Sequence, residues 1–288
     1  MPPLSRPAPG RSTLRPMTTR GAILGGLFLA VLAAGGYVAW PEPEAVAPPE
    51  EHLPIPPLPP RLAASDRYEN CLSMVPTDPV GAAATAETWL AEAQSGPALH
   101  CLGLARLALG EEADAAQLLD QAAQDPATSP AARAAVYGQS AQAWMIAGDI
   151  EHAFAASSLA LTLAPDDPDL LVDHAVAAAS LGDFQAASED LGHALAVDPQ
   201  RLDALTLRGA ARRHLGDLSS ALADIDRALT LDPDNPEALL ERGILRQRRN
   251  DAPGARADWE HAIAVAPDSP AADLAQQNLA LLEAGPSR

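Results

Sequence analysis

The chain has 288 residues, a formal net charge of −19, and 48% hydrophobic but only 3% aromatic residues. Arginine is its only strong base; Arg6, Arg11, Arg15 and Arg20 precede residue 40 with no acid among them, which leaves −23 on the rest. That balance lacks the basic footprint that nucleic-acid binding requires.

Residues 1–20 form a Pro-, Ser- and Arg-rich tail with nothing to build a core. Residues 21–40 (Gly21 to Trp40) then run without a charge, about the ~20 residues that span a bilayer. Arginines before the stretch and acids after it predict one transmembrane helix in the cytoplasmic (inner) membrane, N-terminus inside and the remainder in the periplasm. Tyr37 and Trp40 fall where an interfacial aromatic belt would lie. The same stretch also reads as a cleaved signal peptide, with Val31 and Ala33 supplying the small-residue site; either way the rest is exported. Gly21 and Gly25 make a small-xxx-small pair suited to homodimer formation through this helix. Residues 41–64 form a linker whose first twenty positions hold nine prolines and four acids. Such a run excludes helix and strand interiors and predicts an extended polyproline spacer of roughly 60 Å at ~3.1 Å per residue.

Residues 65–133 read as degenerate helical repeats that cap one end of an array. Asp66–Val75 and Val80–Gln94 predict one helical hairpin, Leu99–Leu109 and Glu112–Gln124 a second, with Gly110 as a helix stop and Ala127–Arg133 as an insertion. Cys71 and Cys101 fall one in each hairpin. In an exported domain an even pair predicts a disulfide, two unpaired buried thiols being the alternative. No Cys-x-x-Cys spacing supports a thioredoxin-like role.

Residues 134–269 repeat every 34 positions, as 134–167, 168–201, 202–235 and 236–269. Asp149, Asp183, Asp217 and Asp251 align, preceded by Gly148, Gly182, Gly216 and Asn250. Ala153, Ala187, Ala221 and Ala255 follow, then Ala160, Ala194, Ala228 and Ala262, and Pro165, Pro199, Pro233 and Pro267 close each copy. Within one copy, Leu205–Leu215 has helical spacing, Gly216 stops that helix and Asp217 starts the next. Leu218–Leu231 carries Ala221, Leu222, Ile225, Ala228 and Leu229 on one face, and Asp232-Pro233 ends it. Each copy is therefore a hairpin too poor in large residues to bury its own face alone, so copies must stack. Residues 270–288 close the array with a helix at Ala271–Glu283 and a tail. The expected fold is all-α, an α-solenoid of stacked helix-turn-helix hairpins.

Where the first helix of a copy carries His174, Arg208 or Arg242, the second carries Asp190, Asp224 or Asp258 sixteen residues later; where it carries Ser140, the matching position is Ala156. These read as ion pairs or hydrogen bonds across each hairpin. Arg212, Arg213, Arg246, Arg248 and Arg249 crowd the last turns of first helices, where they complement the helix dipole or form a cationic rim for an acidic partner.

The columns resemble the tetratricopeptide repeat. Its order of a large residue, a small one, Ala, an aromatic or aliphatic, and Pro is matched by Leu239, Gly243, Ala255, Trp259 and Pro267. Leu205, Gly209, Ala221, Ile225 and Pro233 match it too, as do Leu171, Ala175, Ala187, Leu191 and Pro199, and Tyr137, Ala141, Ala153, Ser157 and Pro165. The copies depart from the pattern where Ser157 replaces a large residue and where Ser140, His174, Arg208 and Arg242 occupy a column usually held by Leu. The resemblance implies that first helices line a concave groove for peptides or partner helices. The matching positions are Gly138, Gln142 and Met145; Val172, Val176 and Ala179; Thr206, Ala210 and Arg213; Leu240, Ile244 and Gln247. Such a groove is mostly apolar and suits an extended or helical apolar segment. It lacks the Lys and Asn set with which some family members clamp a C-terminal carboxylate.

No catalytic constellation emerges. His152, His174, His193, His214 and His261 are scattered without ligand spacing on one helix, and no nucleophile elbow or phosphate loop is present. The chain is therefore expected to be no enzyme and to need no cofactor or metal. It reads as a membrane-anchored scaffold or adaptor that binds protein partners or client segments. The alternative is a secreted or periplasmic structural subunit of an envelope assembly, its leader removed.

Overall fold

The computed structural model describes residues 61–284, which belong to one compact unit, Ile55–Arg288. The expected basic tail, membrane helix and most of the Pro-rich linker lie outside the described residues. Among the described residues there are thirteen helices and no strand: α1 (Asp66–Met74), α2 (Pro79–Glu92), α3 (Gly96–Ala108), α4 (Glu112–Ala123), α5 (Pro130–Ala147), α6 (Ile150–Leu163), α7 (Pro168–Ser180), α8 (Phe184–Val197), α9 (Leu202–His214), α10 (Leu218–Leu231), α11 (Pro236–Arg248), α12 (Ala252–Val265) and α13 (Pro270–Ala284). None of them is long and apolar enough to cross a membrane.

The repeat columns explain the boundaries. At the start of each second helix the carboxylates of Asp149, Asp183, Asp217 and Asp251 accept the backbone N–H three residues on, satisfying a donor that has no partner within the helix. At the end of the first helices the chain turns through left-handed backbone, φ 80° at Gly148 and 83° at Gly216, and the fourth copy reaches φ 63° with Asn250. Pro168 and Pro236 open α7 and α11, where a missing N–H costs nothing.

Small residues let the two helices of a hairpin lie close together. A Cβ added at Gly243 would fall 2.2 Å from Trp259 Nε1, and one at Gly209 would fall 2.6 Å from Ile225 Cδ1. Ala153, Ala187, Ala221 and Ala255 are fully buried. One core runs from Leu171 on α7 to Ala275 on α13, and a second runs from Leu62 to Ala177. Phe154 and Leu161 on α6 pack against both and join them. Successive first helices α5, α7, α9, α11 and α13 touch one another, while α6, α8, α10 and α12 make no comparable set of contacts. The array therefore curves with its first helices on the inner side.

The two ends depart from the sequence expectation in instructive ways. Ala127–Arg133 is not a looped insertion throughout: Ser129 caps α5 and Pro130 opens it, so part of the segment becomes an extra turn of an eighteen-residue helix. Arg133 Nε donates to the Ala123 carbonyl at 2.7 Å and ties that turn to α4. At the other end, α13 continues the α11 columns with Pro270 and Ala272. Where α11 buries Leu239 and Gly243, however, α13 presents Asp273 and Gln277 to solvent, and the stack stops there. Cys71 on α1 and Cys101 on α3 form a disulfide with a Cα–Cα distance of 6.2 Å across a separation of 30 residues.

Candidate binding groove

The inner surface is built from α5, α7, α9 and α11, and the expected groove residues divide by accessibility. Val172, Thr206 and Leu240 are buried where one first helix meets the next, and Thr206 Oγ1 donates to the Leu202 carbonyl. These three hold the stack together and present no surface. Gln142 is exposed, and Met145, Val176, Ala179, Ala210, Arg213, Ile244 and Gln247 are half-buried on the inner face. Between α5 and α7 lies a hollow of about 350 Å³ lined by Ala141, Gln142, Met145, Ile146, Asp173 and Val176. Between α7 and α9 lies a second, of about 200 Å³, whose walls include Val176, Ala179, Leu207 and Ala210. The rings of Phe184 and His214 stack at 4.0 Å in its wall. Val176 belongs to both hollows.

Polar side chains of the groove sit at the seams between first helices. Arg213 on α9 makes a two-pronged pair with Glu241 on α11, Nε to Oε2 at 2.8 Å and the second nitrogen to Oε1 at 3.2 Å. One seam towards the N-terminus pair the apolar Ala179 and Leu207, and before that Met145 and Asp173. Gln142 Nε2 donates to Asp173 Oδ2 at 3.0 Å. Burial holds the Asp173 carboxyl above its usual range, opposed by that hydrogen bond and reinforced by nearby Asp169.

Across the hairpins the columns meet as follows. His174 Nδ1 is 2.7 Å from Asp190 Oδ2, and its Nε2 is 3.0 Å from Ser158 Oγ. Arg208 donates twice to Asp224 at 2.9 and 2.7 Å, and Arg212 donates to the same carboxylate at 2.7 Å. Arg242 repeats this with Asp258 at 3.1 and 2.8 Å, and Arg246 joins at 2.7 Å. Ser140 turns the other way: with Ala156 unable to accept, it donates to Asp120 Oδ1 on α4 at 2.6 Å, and Trp144 Nε1 donates to the other oxygen at 3.0 Å. Of the five arginines expected to form a rim, Arg212, Arg213 and Arg246 are thus engaged within the fold. Arg248 and Arg249 remain at the exposed end of α11.

His193 and His261, equivalent by column, make equivalent contacts with Asp166 at 3.0 Å and Asp234 at 2.9 Å. No group of three or more metal-ligating side chains occurs among the described residues.

The sequence reading missed a buried polar chain at the N-terminal end. Tyr68 OH lies 2.6 Å from His100 Nδ1, and His100 Nε2 lies 2.6 Å from Gln139 Oε1. The three line a cavity of about 260 Å³ with Arg61, Leu72 and Val136. Burial lowers the His100 pKa and pushes the Tyr68 phenol up to about 12. With Gln139 accepting, His100 is the Nε2–H tautomer and accepts a hydrogen bond from the Tyr68 hydroxyl at Nδ1. Register could have found it: Gly103 aligns with Gly209, which puts His100 in the column of Thr206.

Residues 142–212 and 207–280 match the family profile described as Tetratricopeptide repeat. Among solved structures the chain is similar to YrrB, described as a TPR protein with an unusual peptide-binding site, at 18% identity over 68% of this chain and 98% of that one, with a TM-score of 0.53. It is also similar to MamA (41-end) from Desulfovibrio magneticus RS-1, at 18% identity over 61% of this chain and 97% of that one, with a TM-score of 0.54. Similarity to the Cut9–Hcn1 hetero-tetramer of the APC/C covers 74% of this chain and 42% of that one, at 18% identity and a TM-score of 0.55. At such identities the likeness speaks for the fold alone. No curated protein matches the sequence.

Proposed function

The chain belongs to the tetratricopeptide-repeat family, and from that premise we propose that it is a scaffold or adaptor that takes an apolar segment of a protein partner into its inner groove. The observation that carries this is the pair of adjoining hollows along α5, α7 and α9, apolar in most of their walls and open on the inner side. YrrB's description as a peptide-binding TPR protein supports the reading. In this reading residues 134–269 form the binding array, with 65–133 and 270–288 as its two caps. Residues 41–64 hold it off the cytoplasmic membrane, and 21–40 anchor it there with the array in the periplasm. The alternative of a cleaved leader and a periplasmic structural subunit predicts a mature chain that begins beyond residue 33.

Two measurements test this. Intact-mass analysis of the membrane fraction decides the anchor: a full N-terminus in carbonate-washed membranes supports it, and a shortened soluble chain overturns it. For the groove, a photoreactive residue is placed at Val176, at Ala210, or on the opposite side at the exposed Thr230. Discrete protein adducts at the first two positions and none at the third are expected. The same adducts at all three, or none anywhere, would end the groove reading.

A further inference from the structure

The seams between successive first helices use one pair of columns, twenty-eight residues apart, in three chemically different ways. Between α9 and α11 the pair is Arg213 and Glu241, closed on itself by two hydrogen bonds of 2.8 and 3.2 Å. Between α7 and α9 it is Ala179 and Leu207, two apolar side chains. Between α5 and α7 it is Met145 and Asp173: the acid is kept and the arginine is replaced by a thioether. Asp173 makes no ion pair among the described residues, and its only side-chain hydrogen bond comes from the neutral Gln142. Arg201, whose charge also reaches Asp173, is committed to Asp169 and Asp203. The carboxylate faces the larger hollow, whose remaining walls are Ala141, Met145, Ile146 and Val176.

We propose that Asp173 recognises a cationic side chain, Lys or Arg, on the otherwise apolar protein segment that occupies this hollow. The inference rests on the groove reading above and gives its partner a chemistry. The fold contains its own precedent, because Arg213 does for Glu241 what a guest would do for Asp173. An incoming arginine lays its aliphatic stem along Met145, Ile146 and Val176 while its head meets the carboxylate, in a charge-assisted contact that reads both charge and direction. The raised pKa of Asp173 agrees with a carboxylate that is partly desolvated and has no counter-charge in contact with it. The net charge of −19 draws a cationic segment in at long range.

The test pans a random short-peptide library against the full-length protein in detergent micelles, beside Asp173→Asn and Met145→Arg variants. Wild type should enrich peptides with one Lys or Arg among apolar residues. Asp173→Asn should enrich apolar peptides without that cation. Met145→Arg, which supplies an internal guanidinium where Arg213 stands two repeats later, should lose the cation as well. An enriched arginine peptide should bind wild type about tenfold more tightly than its neutral citrulline counterpart, and Asp173→Asn equally to both. Wild-type selection without a cation, or a cation preference that survives both substitutions, overturns the inference and leaves the groove reading intact. A library from which nothing is enriched overturns both.

Discussion

Asp224 and Asp258 are 5% and 4% exposed, and each is gripped by two guanidinium groups. Their removal strands cations that were desolvated on their account, so Asp224→Ala should cost about 3 kcal/mol in urea unfolding. Replacing Arg208 and Asp224 together by Met and Leu should cost clearly less, because Arg212 can turn to water at the helix end. His100 behaves differently with pH. Burial depresses its pKa below the ordinary value of 6.5, so the unfolded chain binds the proton more readily than the folded one. Stability from this group is complete above pH 6.5 and declines as pH falls from there through the depressed folded value. His100→Gln should flatten that stretch of the Tm–pH curve; an unchanged slope would show that the ring is not sealed off. Asp173 has the opposite sign. Its raised carboxyl favours folding below the ordinary value of 3.8 and ceases to as pH rises through the folded value. Asp173→Asn should therefore raise Tm at pH 7 and leave it unchanged in strong acid.

Helices tolerate glycine poorly, yet each hairpin treats its glycines according to what lies opposite. Gly192 inside α8 has no close neighbour, an added Cβ meeting only an Arg208 nitrogen at 3.8 Å; Gly192→Ala should gain about 0.5–1 kcal/mol. Gly243 inside α11 would drive a Cβ into Trp259 at 2.2 Å; Gly243→Ala should lose about 1–3 kcal/mol through overpacking. Chemical denaturation of the two variants checks both signs. The hairpins were legible because the close approach writes itself as a column, Gly209 over Ile225 and Gly243 over Trp259, that recurs with the period. Residues of the groove itself were legible only in part. Val172, Thr206 and Leu240 share the inward angle of Val176, but whether such a residue faces solvent depends on how closely the next first helix lies, which no single helix encodes. Asp173 escaped because its column runs Gln139, Asp173, Leu207, Glu241 and has no common chemistry to notice. His100 escaped because the extra turn of α5 shifts the register of everything before it.

A stack in which each hairpin touches only its neighbours distributes stability unevenly. The C-terminal side is one continuous core with Leu191, Leu205, Ile225, Leu239 and Trp259 fully buried. Among the described residues, the cluster around the two cysteines at the N-terminal end is made mainly of Ala82, Ala83, Ala86 and Ala105, with Leu102 its only large buried aliphatic, while Tyr68 on α1 and Leu119 on α4 are buried in the core beyond it. Alanine removes little apolar area from water, so burial alone holds this end weakly. The Cys71–Cys101 bridge closes a loop of 30 residues, which the chain-entropy account values at about 3.5 kcal/mol. In a globular domain that sum would be shared by the whole molecule. In an array it stays local, because opening α1 and α2 leaves every contact beyond α6 in place. Reduction should therefore abolish slow amide exchange in α1 and α2 and weaken it in α3, while α7 to α12 exchange as before. The groove between α5 and α9 should go on binding its partner. Uniform loss of protection along the chain would mean that the hairpins fold as one cooperative block, and the one-dimensional account of this array would be wrong.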